Sequence, residues 1–407
     1  MSPIGHTLEA HGLFSGPGCG AFRGRPTLGI VAVNTRLHYV DLAGPPARRC
    51  PGKGATMRYE VPFVPDPAYG ALLAGAADRL AGVYFRLGPE TPDARMPGLA
   101  DPSPMELAAG LSGLPPMPRL GLLNAAFHAQ ETLSKDGLRD LLMLLDGYLA
   151  AGALTGIVYA DQYLLQALSD ASPSVARELC AVPGINFRLD NFERAAAVVD
   201  AACSSRFRPP PRIILDRDVN RDLDGLTAMA GKLRREWPDM GLGLMANEGC
   251  LYACPFKQAH DAHIALSRLA ACRVGPDLNR DLGCLRSFAE APGRLLASPS
   301  IRPEDAGRYE GVVDCLKLCG RSRPAADVRA IVAAYLDGRF DGNLVWLLDA
   351  QEALSDRFAI DNAALPEDFF EVTASCSRRC AACRYCDELA ERLLVTRAPG
   401  LVPYGAG

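Results

Sequence analysis

The chain has 407 residues, 49% apolar and 22% charged, with 43 Lys and Arg against 47 Asp and Glu for a formal charge of −4. That much core material excludes a disordered chain, a coiled coil and a small disulfide scaffold, and the mild acidity argues against a protein whose main task is gripping nucleic-acid backbone. Fourteen cysteines are more than packing alone would use.

Residues 1–56 hold sixteen Gly or Pro, six basic residues and only two acidic ones, so this stretch carries +4 and the remainder −8. We read it as a disordered extension, or as sequence preceding a true start at Met57, where Met57-Arg58-Tyr59-Glu60-Val61 leads into a strand. No run approaches the roughly 20 apolar residues of a membrane span, and no apolar run follows a basic start. The expectation is a cytoplasmic protein with no membrane span.

From Met57 onward short apolar runs alternate with helical patterns. The strands expected are Tyr59–Val64, Val83–Leu87, Leu120–Ala126, Gly156–Ala160, Ile185–Leu189, Arg212–Leu215, Leu242–Ala246 and Val312–Leu318. One helix begins at a Ser134 cap and places Leu138, Leu141, Leu142, Leu145, Tyr148 and Leu149 on one face; another follows an Asn191 cap. A third carries Leu223, Leu226, Met229 and Leu233, and a fourth spans Lys257–Leu269. Eight strand–helix units predict an α/β fold, a (β/α)8 TIM-type barrel over 57–345, with a cysteine-rich helical extension over 346–407. An open doubly wound sheet fits less well, because no Gly-rich phosphate loop follows the first strand. In a barrel the chemistry belongs at the C-terminal strand ends, where Asn124, Asp161, Asp190, Asn191, Asp216, Arg217, Asn247, Glu248, Lys317 and Arg321 fall.

Some 65 residues separate the seventh and eighth expected strands, and such excess usually carries function. Cys250, Cys254 and Cys284 lie in or beside this connection and Cys319 ends the eighth strand, so the four converge on one edge of the mouth. Four thiolates suit an iron–sulfur cluster, and Cys254-Pro255 is ferredoxin-like. Two other readings stand beside it: zinc held by Cys residues with His260 and His263, and plain packing of buried thiols. Cys315, four residues before Cys319, shares its face on a regular strand and is a reserve ligand.

A second group follows: Cys376, Cys380, Cys383 and Cys386, four within eleven residues. Thiolates this dense repel one another unless a metal compensates, so a metal site is inferred, either a second cluster or zinc. Cys376, Cys380 and Cys383 reproduce the spacing of radical S-adenosylmethionine enzymes, but they follow the whole barrel and lack the usual aromatic, so that reading is rejected. Cys180, Cys203 and Cys272 receive no role, nor do Cys19 and Cys50.

The ordered set Asn247-Glu248-Gly249-Cys250, Cys254-Pro255, His260, Gly283-Cys284, Ile301-Arg302-Pro303-Glu304-Asp305, Tyr309 and Leu316-Lys317-Leu318-Cys319-Gly320-Arg321 resembles the collagenase-like peptidase family over about residues 57–345. Branches of that family look like iron–sulfur proteins: paired factors of oxygen-independent ubiquinone hydroxylation, and tRNA or ribosomal RNA base hydroxylases, some using prephenate. The resemblance implies a 4Fe–4S cluster on Cys250, Cys254, Cys284 and Cys319. The Cys250–Cys254 spacing, Cys319 in place of an expected glutamate and the C-terminal cysteines depart from those branches. They mark a separate subfamily whose substrate does not carry over.

The leading expectation is an iron–sulfur redox enzyme, an oxygen-independent hydroxylase or a small-molecule- or RNA-modifying enzyme. Lys317, Arg321 and the cofactor-binding candidate Arg280 would steady an anionic group, with His260 as proton donor and Asn247 as a further catalytic candidate. The C-terminal group would relay electrons from a donor. Alternatives are a peptidase, for which Cys250 with His260 is the available pair, and a cluster- or zinc-bearing non-catalytic subunit that works as a heterodimer with a related barrel. The basic stretch Arg206, Arg208 and Arg212 reads as a solvated loop, so nucleic acid is not the expected main partner.

Overall fold

A computed structural model describes residues 56–88, 91, 102–269 and 274–397. The extension over 1–56 lies outside them save for residue 56, as do Cys19, Cys50 and Cys272.

Eight parallel strands form one sheet: β1 (Arg58–Pro62), β2 (Leu80–Arg86), β3 (Arg119–Leu123), β4 (Gly156–Tyr159), β5 (Cys180–Pro183), β6 (Arg212–Leu215), β7 (Gly241–Met245) and β8 (Cys315–Lys317). Their order is β5-β4-β3-β2-β1-β8-β7-β6. The β5–β6 seam is joined by a parallel bridge between Cys180 and Arg208, with Ala181 N–H donating to the Arg208 carbonyl at 3.2 Å. The sheet is therefore a nearly closed barrel of the (β/α)8 type. Its strands are apolar runs with hardly an exposed residue, as expected where helices cover one face and the lumen the other.

Helices α1 (Pro67–Gly75), α2 (Pro104–Ser112), α3 (Lys135–Ala150), α4 (Gln162–Ala171), α5 (Pro173–Glu178), α6 (Phe192–Cys203) and α7 (Leu223–Glu236) lie between β1 and β7. The expected caps form: Ser134 accepts from Gly137 N–H at 3.2 Å, and Asn191 from Arg194 N–H at 2.8 Å. α3 buries Leu141, Leu145 and Tyr148, the apolar face read from its period. The long connection after β7 holds α8 (Lys257–Leu269), α9 (Val274–Asp281), α10 (Cys284–Glu290) and α11 (Gly293–Leu296), and α12 (Ala325–Asp337) follows β8.

Three expectations need correction. The fifth strand is Cys180–Pro183, not Ile185–Leu189, because its register runs from Gly156↔Cys180 to Tyr159↔Pro183. Residues Ile185–Phe187 form a 3-10 turn, and Arg188 sits in the left-handed region at φ 53°, which no continuous strand accepts. Arg212 is not in a solvated loop: it begins β6 and is buried, while Arg206 and Arg208 are exposed. The C-terminal extension is not purely helical. Beside α13 (Leu344–Leu347), α14 (Phe369–Ser375) and α15 (Tyr385–Leu393) it contains β9 (Phe358–Ile360) paired antiparallel with β10 (Leu394–Thr396).

This extension joins the barrel core through Leu365, Phe369 and Leu389. The Arg302 guanidinium lies 5.1 Å over the Phe369 ring, and Phe370 meets Tyr309 edge-on at 5.7 Å. Among the described residues, no helix is long and apolar enough to cross a membrane.

Candidate functional site

Buried charge organises the lumen. Glu60 on β1, 1% exposed, receives Arg212 Nε at 2.6 Å on one carboxylate oxygen and Lys317 Nζ on the other. Arg212 also donates to the Ala81 carbonyl at 3.1 Å. The Lys317 ammonium stands 3.8 Å from the centre of the Tyr84 ring, whose hydroxyl donates to the Leu318 carbonyl. Burial alone would raise the Glu60 carboxyl, but Arg212 and Lys317 outweigh it and hold it down to about 2.

Because the folded value lies below the ordinary one of 4.5, the stabilisation is complete above about pH 4.5 and is lost as pH falls through about 2. It is on the order of 3 kcal/mol. The stability difference between wild type and Glu60→Gln is therefore expected to shrink between about pH 4.5 and pH 2, measured by denaturant unfolding. A difference that stays constant over that range sinks the pairing argument.

Above this charge cluster a cavity of about 450 Å³ opens at the C-terminal strand ends. Leu122, Val158, Val182 and Ile214 from the strands and Ile185 from the turn after β5 form its apolar side; Lys317, Arg321, His260, Asn124 and Asn186 supply polar groups. Cys250, Cys284 and Cys319 line it too, and Cys254 lies within electrostatic range of Cys250 and Cys284. Two ion pairs flank the thiols: Arg217 with Glu248, and Lys257 with Asp261 at 2.5 Å.

The Cys250 loop is held by specific backbone geometry. Gly249 has φ +72°, and a Cβ there would meet Leu348 Cβ at 2.6 Å, so a side chain is excluded by both conformation and space. Ala253 adopts φ 46°, costly for a residue with a Cβ, and its N–H donates to Asp218 at 3.1 Å. Burial pushes the Cys250 thiol well above its ordinary range and Cys284 up to about 11.

The sequence-derived candidates divide. Lys317, Arg321 and His260 share the cavity with three of the cysteines; His260 Nε2 lies 2.8 Å from Asn279 Nδ2. Asn247 is not a lining residue but a bracket: its Oδ1 accepts from Cys319 N–H at 2.6 Å and its Nδ2 donates to the Leu347 carbonyl at 3.3 Å. Arg280 is exposed on α9, forked onto Asp281 at 2.7 and 2.9 Å, and does not line the cavity. Cys315 is buried with Ala81 and Ile214 and is not among the residues lining the cavity. The residues that sequence reasoning missed are Glu60, Arg212 and the wall segment Ala350–Ala353. A lone carboxylate within the apolar first strand was the available signal for Glu60.

A second cavity, about 410 Å³, is lined by all four C-terminal cysteines together with Arg221, Arg294, Arg378, Arg379 and Arg384. Cys386 lies within electrostatic range of the other three. Burial raises Cys376, but the Arg221 hydrogen bond and the backbone of Arg378 outweigh it and lower its thiol overall. Arg378, between Cys376 and Cys380, is left-handed at φ 59°.

Three of the mouth thiols line one cavity and all four C-terminal thiols line the other, with cations beside both. Among the described residues, no three His, Cys, Asp or Glu side chains stand close enough to hold an ion as arranged. One tetrahedral ion needs its sulfurs within about 4 Å of one another, whereas a cluster spreads four thiolates over four irons.

No protein-family model matches the chain. Over 182 residues it is 34% identical to a protein of Methanocaldococcus jannaschii named an uncharacterized protease. The match covers 45% of this chain and 53% of that protein, so the chain spans about half the length of the curated relative it matches. Among solved structures, likeness to a U32 peptidase covers 67% of this chain and 97% of the other, at 17% identity and a TM-score of 0.43. Likeness to orotidine 5′-monophosphate decarboxylase from Sulfolobus solfataricus covers 70% and 99%, at 12% identity and a TM-score of 0.33. The barrel assignment rests on the strand order, not on these alignments.

Proposed function

We propose that the chain is an iron–sulfur redox protein of the collagenase-like peptidase family. In this reading Cys250, Cys254, Cys284 and Cys319 hold a 4Fe–4S cluster at the barrel mouth, and Cys376, Cys380, Cys383 and Cys386 hold a second cluster or zinc. The protease name of a relative 34% identical over 182 residues supports the family resemblance. The observation that carries the reading is one cavity lined by three of the mouth thiols together with the buried cation Lys317.

A bound cluster supplies one-electron chemistry. The chain's own groups do the rest. Glu60 is shared by Arg212 and Lys317, which leaves one surplus positive charge beneath the cavity, so Lys317 and Arg321 draw an anionic group toward the thiols. The strand side chains exclude water from its apolar part, and His260 lines the cavity with its Nε2 2.8 Å from the Asn279 Nδ2. The activity proposed is oxygen-independent hydroxylation, alone or as a subunit of a heterodimer of related barrels; it withdraws two electrons from the substrate, which an oxygen-donating or electron-accepting co-substrate would take up.

Anaerobic purification with iron and acid-labile sulfide analysis tests it. About eight irons per chain are expected for two four-iron clusters, or about four with zinc at the C-terminal group. Stoichiometric zinc without sulfide overturns the redox reading.

A second reading, peptide hydrolysis, is favoured by the relative's name. It would need Cys250 as nucleophile, yet burial pushes that thiol up rather than down. Peptide cleavage by metal-free protein that is lost in Cys250→Ala would establish it over the redox reading.

A further inference from the structure

Arg221 follows β6 and is 7% exposed, yet among the described residues no carboxylate pairs with it. Its guanidinium is spent on three carbonyls and one sulfur. Nε donates to the Thr373 carbonyl at 2.9 Å, Nη1 to those of Ala297 at 2.9 Å and Ser298 at 3.3 Å, and Nη2 to Cys376 Sγ at 3.5 Å. A buried cation without a counter-charge is costly, and carbonyl dipoles satisfy its hydrogens without cancelling its charge. The ionisable group within its hydrogen-bonding reach is the Cys376 thiol.

Two of the four other arginines lining the cavity are committed elsewhere, and Arg294 and Arg379 are exposed. Arg378 bonds the Arg221 carbonyl at 3.0 Å and pairs with Asp222 at 3.2 Å, and Arg384 pairs with Glu391 at 3.1 Å. Four thiolates leave a net charge of about −2 with either Zn²⁺ or a four-iron core of charge +2. A buried cation at one of the sulfurs offsets part of that charge.

We propose that Arg221 is the buried counter-cation and positioning residue of a metal site formed by Cys376, Cys380, Cys383 and Cys386, holding the Cys376 sulfur toward the metal. This rests on the metal reading of those cysteines given above. Arg221 does not bind the metal. It fixes the first ligand from outside, through a hydrogen bond donated to sulfur, and anchors the segment after α14 to the barrel.

The test is a Co²⁺ titration of the metal-free, full-length chain under anaerobic conditions, followed by thiolate-to-cobalt absorbance. A Cys284→Ser background disables the mouth group. Arg221→Gln is expected to weaken cobalt binding about 10–100-fold, the usual cost of removing a group that orients a metal ligand. Arg221→Lys keeps the charge and gives up the fork to the carbonyls. Its unfolding midpoint is expected to fall while its cobalt affinity stays nearer to wild type than that of Arg221→Gln.

Unchanged cobalt affinity in a folded Arg221→Gln chain overturns the proposal. If that variant does not fold, Arg221→Lys decides: affinity lost in step with stability means a merely structural arginine. Failure of the Arg221-bearing chain to bind cobalt, with the same result when Cys383 is also replaced, overturns the metal reading itself. That outcome is distinct from bound cobalt that ignores Arg221.

Discussion

Replacing Glu60 with Gln is expected to destabilise the barrel by about 3–5 kcal/mol, because one carboxylate serves two buried cations. Arg212 and Lys317 approach opposite oxygens of the same group, and both are under a tenth exposed. Gln preserves the volume and offers one carbonyl, but it leaves two uncompensated charges facing each other in the lumen. Lys317→Met is expected to cost less. It leaves Glu60 and Arg212 as a balanced pair and places an apolar chain over the Tyr84 ring. Denaturant unfolding of the two variants beside wild type checks the order. If Lys317→Met is the more damaging, the shared-carboxylate account fails and Lys317 owes its burial to another contact.

The second large effect concerns the ligand groups. Separate Cys284→Ala and Cys383→Ala variants are each expected to lose about half of the iron and sulfide of a two-cluster protein, and the double variant nearly all. Cys284 heads α10 after Gly283 and lines the mouth cavity; Cys383 lines the C-terminal one. Cys315→Ala is the control. It is buried with Ala81 and Ile214, and burial pushes its thiol up to about 12, so its removal is expected to leave iron content unchanged. Full iron in both single variants would show that the ligand assignment is wrong. Loss of both clusters in either one would mean that the two groups assemble cooperatively.

How far the site was legible depended on the range of the interaction. The caps at Ser134 and Asn191 are three-residue events, and both were readable. The fifth strand was misplaced by five residues at its start because Ile185 and Phe187 look like strand residues locally. The register with β4 and the left-handed backbone at Arg188 exclude them. Lys317, Arg321 and His260 were placed by their position after strands or on the long connection, and they do share a cavity. Arg280 was placed by the same reasoning and lies outside it. An arginine on an exposed helix face is free to fork onto its neighbouring aspartate, and nothing in the connection's length shows which face turns inward. Asn247 looked like a reacting group and is a backbone bracket, because the partner it needed, Cys319, is 72 residues away.

What the sequence determined by itself was the alternation of eight strands with helices and the two cysteine groups. Apolar period between near neighbours sets the elements, and the C-terminal cysteines fall within eleven residues, whereas the mouth group is spread over 250–319. Closure of the barrel decided the rest. It brought Glu60 to Arg212 across 152 residues and to Lys317 across 257. It also set Cys376 against Arg221 across 155. Those pairings arise only when β1 lies beside β8 and the extension folds back onto the loop after β6, because a charge in a strand or a turn chooses its partner by distance in space.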